Sequence, residues 1–209
     1  MSGTLVYDEA YREVALLDDG SKVRLRLIRP DDKRLMLDAW ERLSPESRYR
    51  RFFSAKTSLS NAELQYLTEV DNINHVAIGA TRKRHGKIEA LGVARFIRLA
   101  DRPRVADAAI TVVDDVHRKG LGRILLTRLV AAALERGIDR FSCDVLANNE
   151  GMRGLVKSLA PDAVERPDGP MVTVEMPLPD VERPQEAILR TSLLYRLLAL
   201  IGRGWTGAA

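Results

Sequence analysis

The stretch at residues 112–136, VVDDVHRKGLGRILLTRLVAAALER, narrows the fold more than any other part of the chain. Its β-branched start reads as the end of a strand. Its Leu- and Ala-rich remainder reads as a helix, closed by Gly137 where a C′ glycine would stand. Between the two lies a polar turn carrying Gly120 and Gly122. A strand that runs through a glycine turn into a helix N-terminus is an anion-binding device. Glycines let a ligand approach the backbone, free N–H groups point at it, and the helix dipole favours negative charge. His117, Arg118, Lys119 and Arg123 add positive charge at the same place, and a pyrophosphate is its natural guest. The stretch holds no G-x-x-x-x-G-K-[ST]. It holds no G-x-G-x-x-G either, because Leu125 stands where the third glycine belongs.

At 209 residues the chain fits one domain with some tail to spare. A net charge of +4 suits a nucleotide-like anion but is too small and scattered to indicate nucleic acid. The single cysteine, Cys143, excludes an intrachain disulfide and a cysteine-cluster metal site, and it reads as a small buried apolar side chain in a strand at 141–146. No metal site is expected. The N-terminus lacks a basic region followed by an apolar run, and no apolar run reaches membrane-spanning length, so a cytoplasmic protein is the expectation.

Residues 1–20 read as an N-terminal arm, with a short helix at 9–17 as an alternative for part of it. Residues 22–29 alternate with a period of two, which places Val23, Leu25 and Leu27 on one face of a strand. Pro30-Asp31-Asp32 opens a helix to about Leu43. Ser44-Pro45 opens a second, with Ser as N-cap and Pro at N1, and Ser60 a third that ends near Thr68. In the second helix Tyr49, Phe52 and Phe53 are expected in the core and the arginines in water. Strands follow at 75–82, 89–98 and 105–113, then the long helix, a strand at 141–146, a helix at 149–159 and a last strand pair at 163–166 and 171–176. Hairpin strands followed by βαβ units imply an α/β fold with a central mixed sheet flanked by helices.

Residues 117–122, HRKGLG, resemble the acetyl-CoA signature [QR]-x-x-G-x-[GA] of the GNAT N-acetyltransferases, with His117 at the place of the usual Gln or Arg. The likeness extends to IRPDD at 28–32, LSPESRYRRFF at 43–53, GVAR at 92–95 and VLANNEGM at 145–152. It is closest to the bacterial protein-lysine acetyltransferases and covers residues 20 to about 178. The resemblance implies the GNAT acyl-CoA N-acyltransferase fold over residues 21–178, acetyl-CoA as cosubstrate, and a protein lysine as acceptor. A small-molecule amine acetyltransferase and a non-catalytic acyl-CoA-binding regulatory protein are the alternatives. Some relatives carry cyclic-nucleotide-binding or synthetase-like domains, for which this length leaves no room.

Acetyl transfer needs a neutral amine, a positioned thioester and a donor for the developing oxyanion. The strand before the glycine turn offers one acid, Asp107, where the lysine acetyltransferases carry a glutamate. It is one methylene shorter and would act through a water. Its bland alternative is an exposed strand start, where an aspartate costs nothing. The resemblance puts the oxyanion donor at Val112 or Val113. It assigns the cofactor to the loop His117, Arg118, Lys119, Gly120, Leu121, Gly122 and Arg123, and to Asn149, which also reads as a helix N-cap. Asp114 and Asp115 read as turn residues. The tyrosine acid of many relatives is replaced by Val156, which leaves a water or the thiolate's own low pKa to serve.

Residues 179–209 read as a proline-containing linker and an apolar helix at 185–201 with a narrow polar strip. A helix this apolar packs against protein, either in a homodimer or on its own domain, in preference to a membrane interface. Deleting residues 180–209 and weighing both forms by light scattering checks this. A dimeric full chain and a monomeric truncation are expected, and a monomeric full chain removes the dimer.

Overall fold

The computed structural model describes residues 5–179. The helix expected at 185–201, and any partner contact through it, lie outside the described residues.

Eight strands form one sheet in the order β1-β2-β3-β4-β5-β6-β8-β7. They are β1 Arg12–Leu16, β2 Lys22–Leu27, β3 His75–Arg84, β4 Lys87–Arg98, β5 Val105–Val112, β6 Arg140–Leu146, β7 Val164–Asp168 and β8 Met171–Pro177. Every neighbouring pair is antiparallel except β5 with β6. The helices are α1 Lys33–Glu41, α2 Pro45–Phe52, α3 Asn61–Thr68, α4 Leu121–Leu134 and α5 Glu150–Leu159. Short 3-10 turns precede α1 and α4, at Pro30–Asp32 and Asp114–Val116.

The local signals act as the sequence suggests. Val23, Leu25 and Leu27 are buried on one face of β2. Ser44 caps α2 by accepting from Ser47 N–H, and Ser60 and Glu63 close a reciprocal capping box on α3. Gly137 takes a left-handed φ of 72° beyond the end of α4.

Two expectations are corrected. Residues 12–16 form an edge strand, not a helix. It is held to β2 by its ladder and to α4 by the Glu13 carboxylate, which accepts from Arg128 at 2.7 and 2.8 Å. In α2 the aromatic and basic roles are partly exchanged. Tyr49 and Phe53 are exposed, while Arg48 stacks on Trp40 at 4.7 Å and donates to the Trp40 carbonyl. Residues four apart share a helix face. Phe52 follows Arg48 onto Trp40, and Phe53 follows Tyr49 into solvent.

The period of two sorts the sheet into two faces. Arg95 donates to the Leu67 carbonyl of α3 and lies opposite Ala109, so Asp107, Ala109 and Thr111 face the α1–α3 side. The neighbouring positions, with Gly92 among them, face α4. A Cβ on Gly92 would lie 2.8 Å from the Thr111 carbonyl oxygen and 3.3 Å from Leu125 Cδ1. On Gly79 it would meet Ile28 Cδ1 at 2.7 Å, the free end of a side chain. Gly92→Ala must move backbone, so a loss of about 1–3 kcal/mol is expected, with a smaller loss for Gly79→Ala. Urea midpoints at constant m-value check the order.

Candidate active site

The ladder between β5 and β6 is short. Val105, Ala106 and Asp107 pair with Arg140, Phe141 and Ser142, and the strands then part. An open cleft of about 900 Å³ follows the parting, at the upper end of the ~300–1,000 Å³ usual for small-molecule sites. Residues 108–112 of β5 and 143–145 of β6 line it. The glycine turn, the start of α5 and the last turn of α2 complete its walls.

The parting exposes backbone donors. Val105 pairs with Leu99 and Val113 N–H donates to the Leu91 carbonyl at 2.9 Å, so the odd-numbered residues of β5 bond to β4. The even-numbered ones face β6, and beyond the last paired residues the N–H groups of Ile110 and Val112 face the opening. Val113 is therefore excluded as a donor to a ligand; its side chain is buried as well. Val112 keeps its N–H on the open side. Its carbonyl accepts a hydrogen bond from His117 Nε2 at 2.8 Å, which sets the imidazole tautomer with hydrogen on Nε2. Ile110, two residues nearer Asp107, was not singled out by the sequence, because strand register decides which N–H groups are left over.

The glycine turn has the backbone geometry of an anion nest. Arg118 and Gly120 both take left-handed φ, 57° and 81°. Such reversals gather successive N–H groups into a concave nest. Gly120 is the N-cap of α4, no side chain caps this helix, and the first-turn N–H groups of Leu121, Gly122 and Arg123 are left open by helix geometry. A Cβ on Gly122 would meet only Leu155 Cδ2, at 3.4 Å, so the fold itself tolerates a side chain there. Arg118 and Arg123 line the cleft, and Arg123 donates to Ser158 Oγ. Lys119 does not line it: its ammonium pairs with Asp19 at 3.1 Å, and its carbonyl accepts from Asp18 N–H. The β1–β2 turn thus braces the glycine turn, and its Asp18 lines the cleft with the carboxylate against Gly120, a contact no sequence signal announces.

Asn149 caps α5, its Oδ1 accepting from Met152 N–H, and lines the cleft. Val156, at the place of the missing tyrosine, is buried in the core. Cys143 lines the cleft as an inert thiol. Burial, followed by the nearby Asp107, pushes its pKa up to about 12. His75 accepts from Arg95, and burial with that guanidinium lowers its pKa to about 4, so it is neutral.

Asp107 stands at the paired end of the cleft and makes no hydrogen bond or ion pair among the described residues. Its carboxyl is open to solvent through the cleft mouth, yet the surrounding protein raises its pKa. The Arg51 guanidinium opposes that rise and Asp144 adds to it. Asp115 is taken up in a two-oxygen contact with Arg42 at 2.7 and 2.8 Å. Asp114 accepts from Ser44 N–H and Ser47 Oγ at the start of α2. Burial raises its pKa, but these bonds outweigh it and hold the carboxyl below the usual range. Both are structural, as their turn positions suggest. Among the described residues no cluster of three metal-ligating side chains exists, and no helix is long and apolar enough to cross a membrane.

A profile of the acetyltransferase (GNAT) family matches residues 34–160. The acetyltransferase Pat of Mycolicibacterium smegmatis is 34% identical over 158 residues, 76% of this chain and 46% of that protein. The chain thus spans about half the length of that relative. The GNAT domain of Streptomyces lividans PAT superposes with a TM-score of 0.74 at 28% identity, over 82% of this chain and 99% of that one. A Salmonella typhimurium protein solved with its cofactor acetyl-CoA shares the fold, with a TM-score of 0.59 at 15% identity over 78% of this chain and 97% of that one.

Gly122→Asp tests the cradle, since it places bulk and negative charge at the first turn of α4 without a steric clash in the chain. A folded protein whose acetyl-CoA affinity by calorimetry is lost is the expected outcome; unchanged affinity removes the site.

Proposed function

The chain belongs to the acetyltransferase (GNAT) family, and from that premise we propose that it is an acetyl-CoA-dependent N-acetyltransferase acting on a primary amine, first of all a protein lysine. One observation carries the reading. Asp107, a carboxylate without a partner among the described residues, and a row of open N–H groups in the glycine turn lie at opposite ends of one cleft, joined by the unpaired edge of β5. The likeness to protein-lysine acetyltransferases supports lysine as the acceptor. The Salmonella neighbour supports acetyl-CoA.

Acetyl-CoA supplies an activated thioester, whose thiolate is a good leaving group at the ordinary thiol pKa of about 8.5. The residues of the chain do the rest. The N–H groups of Leu121, Gly122 and Arg123, with the Arg118 and Arg123 side chains, hold the pyrophosphate at the Gly120 turn, and Asn149 lies beside the arm that follows it. The neutral amine nitrogen attacks the carbonyl carbon, the C–S bond breaks with the electron pair staying on sulfur, and the proton that the acylated nitrogen then sheds goes to the departing thiolate through water. Asp107 accepts the proton that the ammonium must lose, through a water. Strand rise sets the oxyanion donor. Ile110 lies about 10 Å along β5 from Asp107 and Val112 about 16 Å. The carbonyl must sit beside the amine that Asp107 serves, so Ile110 N–H is the better-placed donor. Val112 N–H is left for the pantetheine arm.

The raised pKa of Asp107 sets the acid side of the pH profile. Activity falls as pH drops through that pKa, above the usual carboxylate range, because the protonated carboxyl cannot accept. Asp107→Asn is expected to keep acetyl-CoA affinity, to lose about 10²–10⁴ in turnover, and to lose less as pH approaches the amine pKa of ~10.4. A mutant whose pH–rate profile is unaltered moves the base elsewhere.

A further inference from the structure

The acceptor end of the cleft has a second charged residue with nothing to hold. Arg51, in the last turn of α2, lies over the Phe52 ring at 5.1 Å and lines the cleft. Among the described residues its guanidinium makes no hydrogen bond and no ion pair. The other arginines of α2 are accounted for. Arg48 donates to the Trp40 and Thr57 carbonyls, and Arg50 pairs with Glu46 one turn back. Arg51 is also surrounded by protein, which lowers its pKa; the Asp107 carboxylate and then Tyr66 partly offset this. A desolvated guanidinium without a carboxylate is costly, and behind it stands another. Arg95 is 3% exposed, bonded to His75 and the Leu67 carbonyl but to no acid, and its pKa falls to about 9 through burial and then the charge of Arg51.

The opposite charges lie across the opening. Asp107 and Asp144 belong to β5 and β6 and line the strand side of the cleft, Asp144 held by Thr173 Oγ1. Arg51 and Asp107 feel each other's charge but form no ion pair. The acceptor end is therefore a slot with two signs, negative on the strands and positive on α2. A bare alkylammonium would satisfy only the strand side and would bring a like charge towards Arg51. An acceptor carrying an anion near its amine satisfies both sides. A planar guanidinium fork recognises a carboxylate through two parallel hydrogen bonds.

Resting on the N-acetyltransferase reading above, we propose that the acceptor bears a carboxylate close to the reacting amine and that Arg51 is the residue that selects it. The carboxylate has two sources. It belongs either to an Asp or Glu beside the modified lysine of a protein or to a free amino acid. Arg51 binds this group and takes no part in proton transfer.

The test uses the full chain, acetyl-CoA and two matched pairs of acceptors. One pair is a lysine peptide flanked by Glu and the same peptide flanked by Gln; the other is a free amino acid and its methyl ester. A preference of about 10- to 100-fold in kcat/KM for the carboxylate-bearing member of one pair is expected. The pair that shows it names the source. Arg51→Gln should abolish that preference by raising the acceptor KM while leaving the acetyl-CoA KM unchanged. Arg51→Lys, which keeps the charge without the fork, should retain part of it and keeps the test open should the Gln variant fail to fold. Equal rates on both members of both pairs overturn the inference and leave the transferase reading standing. A variant that slows both members of each pair alike and leaves the carboxylate preference intact overturns it too. A protein that binds acetyl-CoA yet acetylates none of the four sinks the transferase reading and this one with it.

Discussion

Three residue pairs between β5 and β6 decide this molecule. A parallel ladder that continued past Asp107 and Ser142 would bury the N–H and C=O groups of Ile110 and Val112 in hydrogen bonds and leave no cleft. Because it stops there, one sheet provides both a continuous core and a row of unpaired donors beside a carboxylate. The rigid part of the sheet holds the opening in place. Gly92–Arg98 of β4 pair with Ala106–Val112 of β5, and Gly92 lets β4, β5 and Leu125 of α4 close together behind the exposed edge.

The opening is then pinned at its rim by short polar ties. His117 hydrogen-bonds the Val112 carbonyl on the open side of the strand, and Asp114 fastens the start of α2. Lys119 and Asp18 tie the glycine turn to the β1–β2 turn. These contacts hold the turn, with its open N–H groups, fixed against the strand and the β1–β2 turn, and fixed donors are what a preorganised electrostatic site requires. His117, at the position where the resembling signature has Gln or Arg, spends its Nε2–H on the strand in this way.

The parts legible in the sequence are those written locally. The glycine turn, the caps Ser44, Ser60 and Asn149, the alternation of β2 and the odd acid Asp107 are signals within a few residues, and each is where the sequence suggests. The illegible parts depend on register and packing. Whether Val112 or Val113 keeps its N–H is decided by which residues of β5 bond to β4. The strand at residues 12–16 is chosen by a ladder to β2 and by Arg128, more than a hundred residues away. In α2 the run of arginines and aromatics has no clean period, so Trp40 decides which residues turn inward. Arg51 is legible only by elimination, once every neighbour has found a partner.

On the reading proposed above, with Asp107 as base and a primary amine as acceptor, the charges at that end of the cleft act together on the acceptor as well as on the chain. An ammonium with a pKa near 10.4 must be brought to its neutral form near neutral pH. Asp107 alone pulls the other way, since a carboxylate beside an ammonium stabilises the charged form. A guanidinium on the facing wall offsets that pull by disfavouring a second cation, and it does so most where both groups are partly desolvated. The same Arg51 counters the desolvation that would protonate Asp107. A base kept ionised and an amine kept from holding its proton are the two conditions for nucleophilic attack. A slot with one sign on each wall meets both, where a purely acidic slot would bind the amine firmly and hold it protonated.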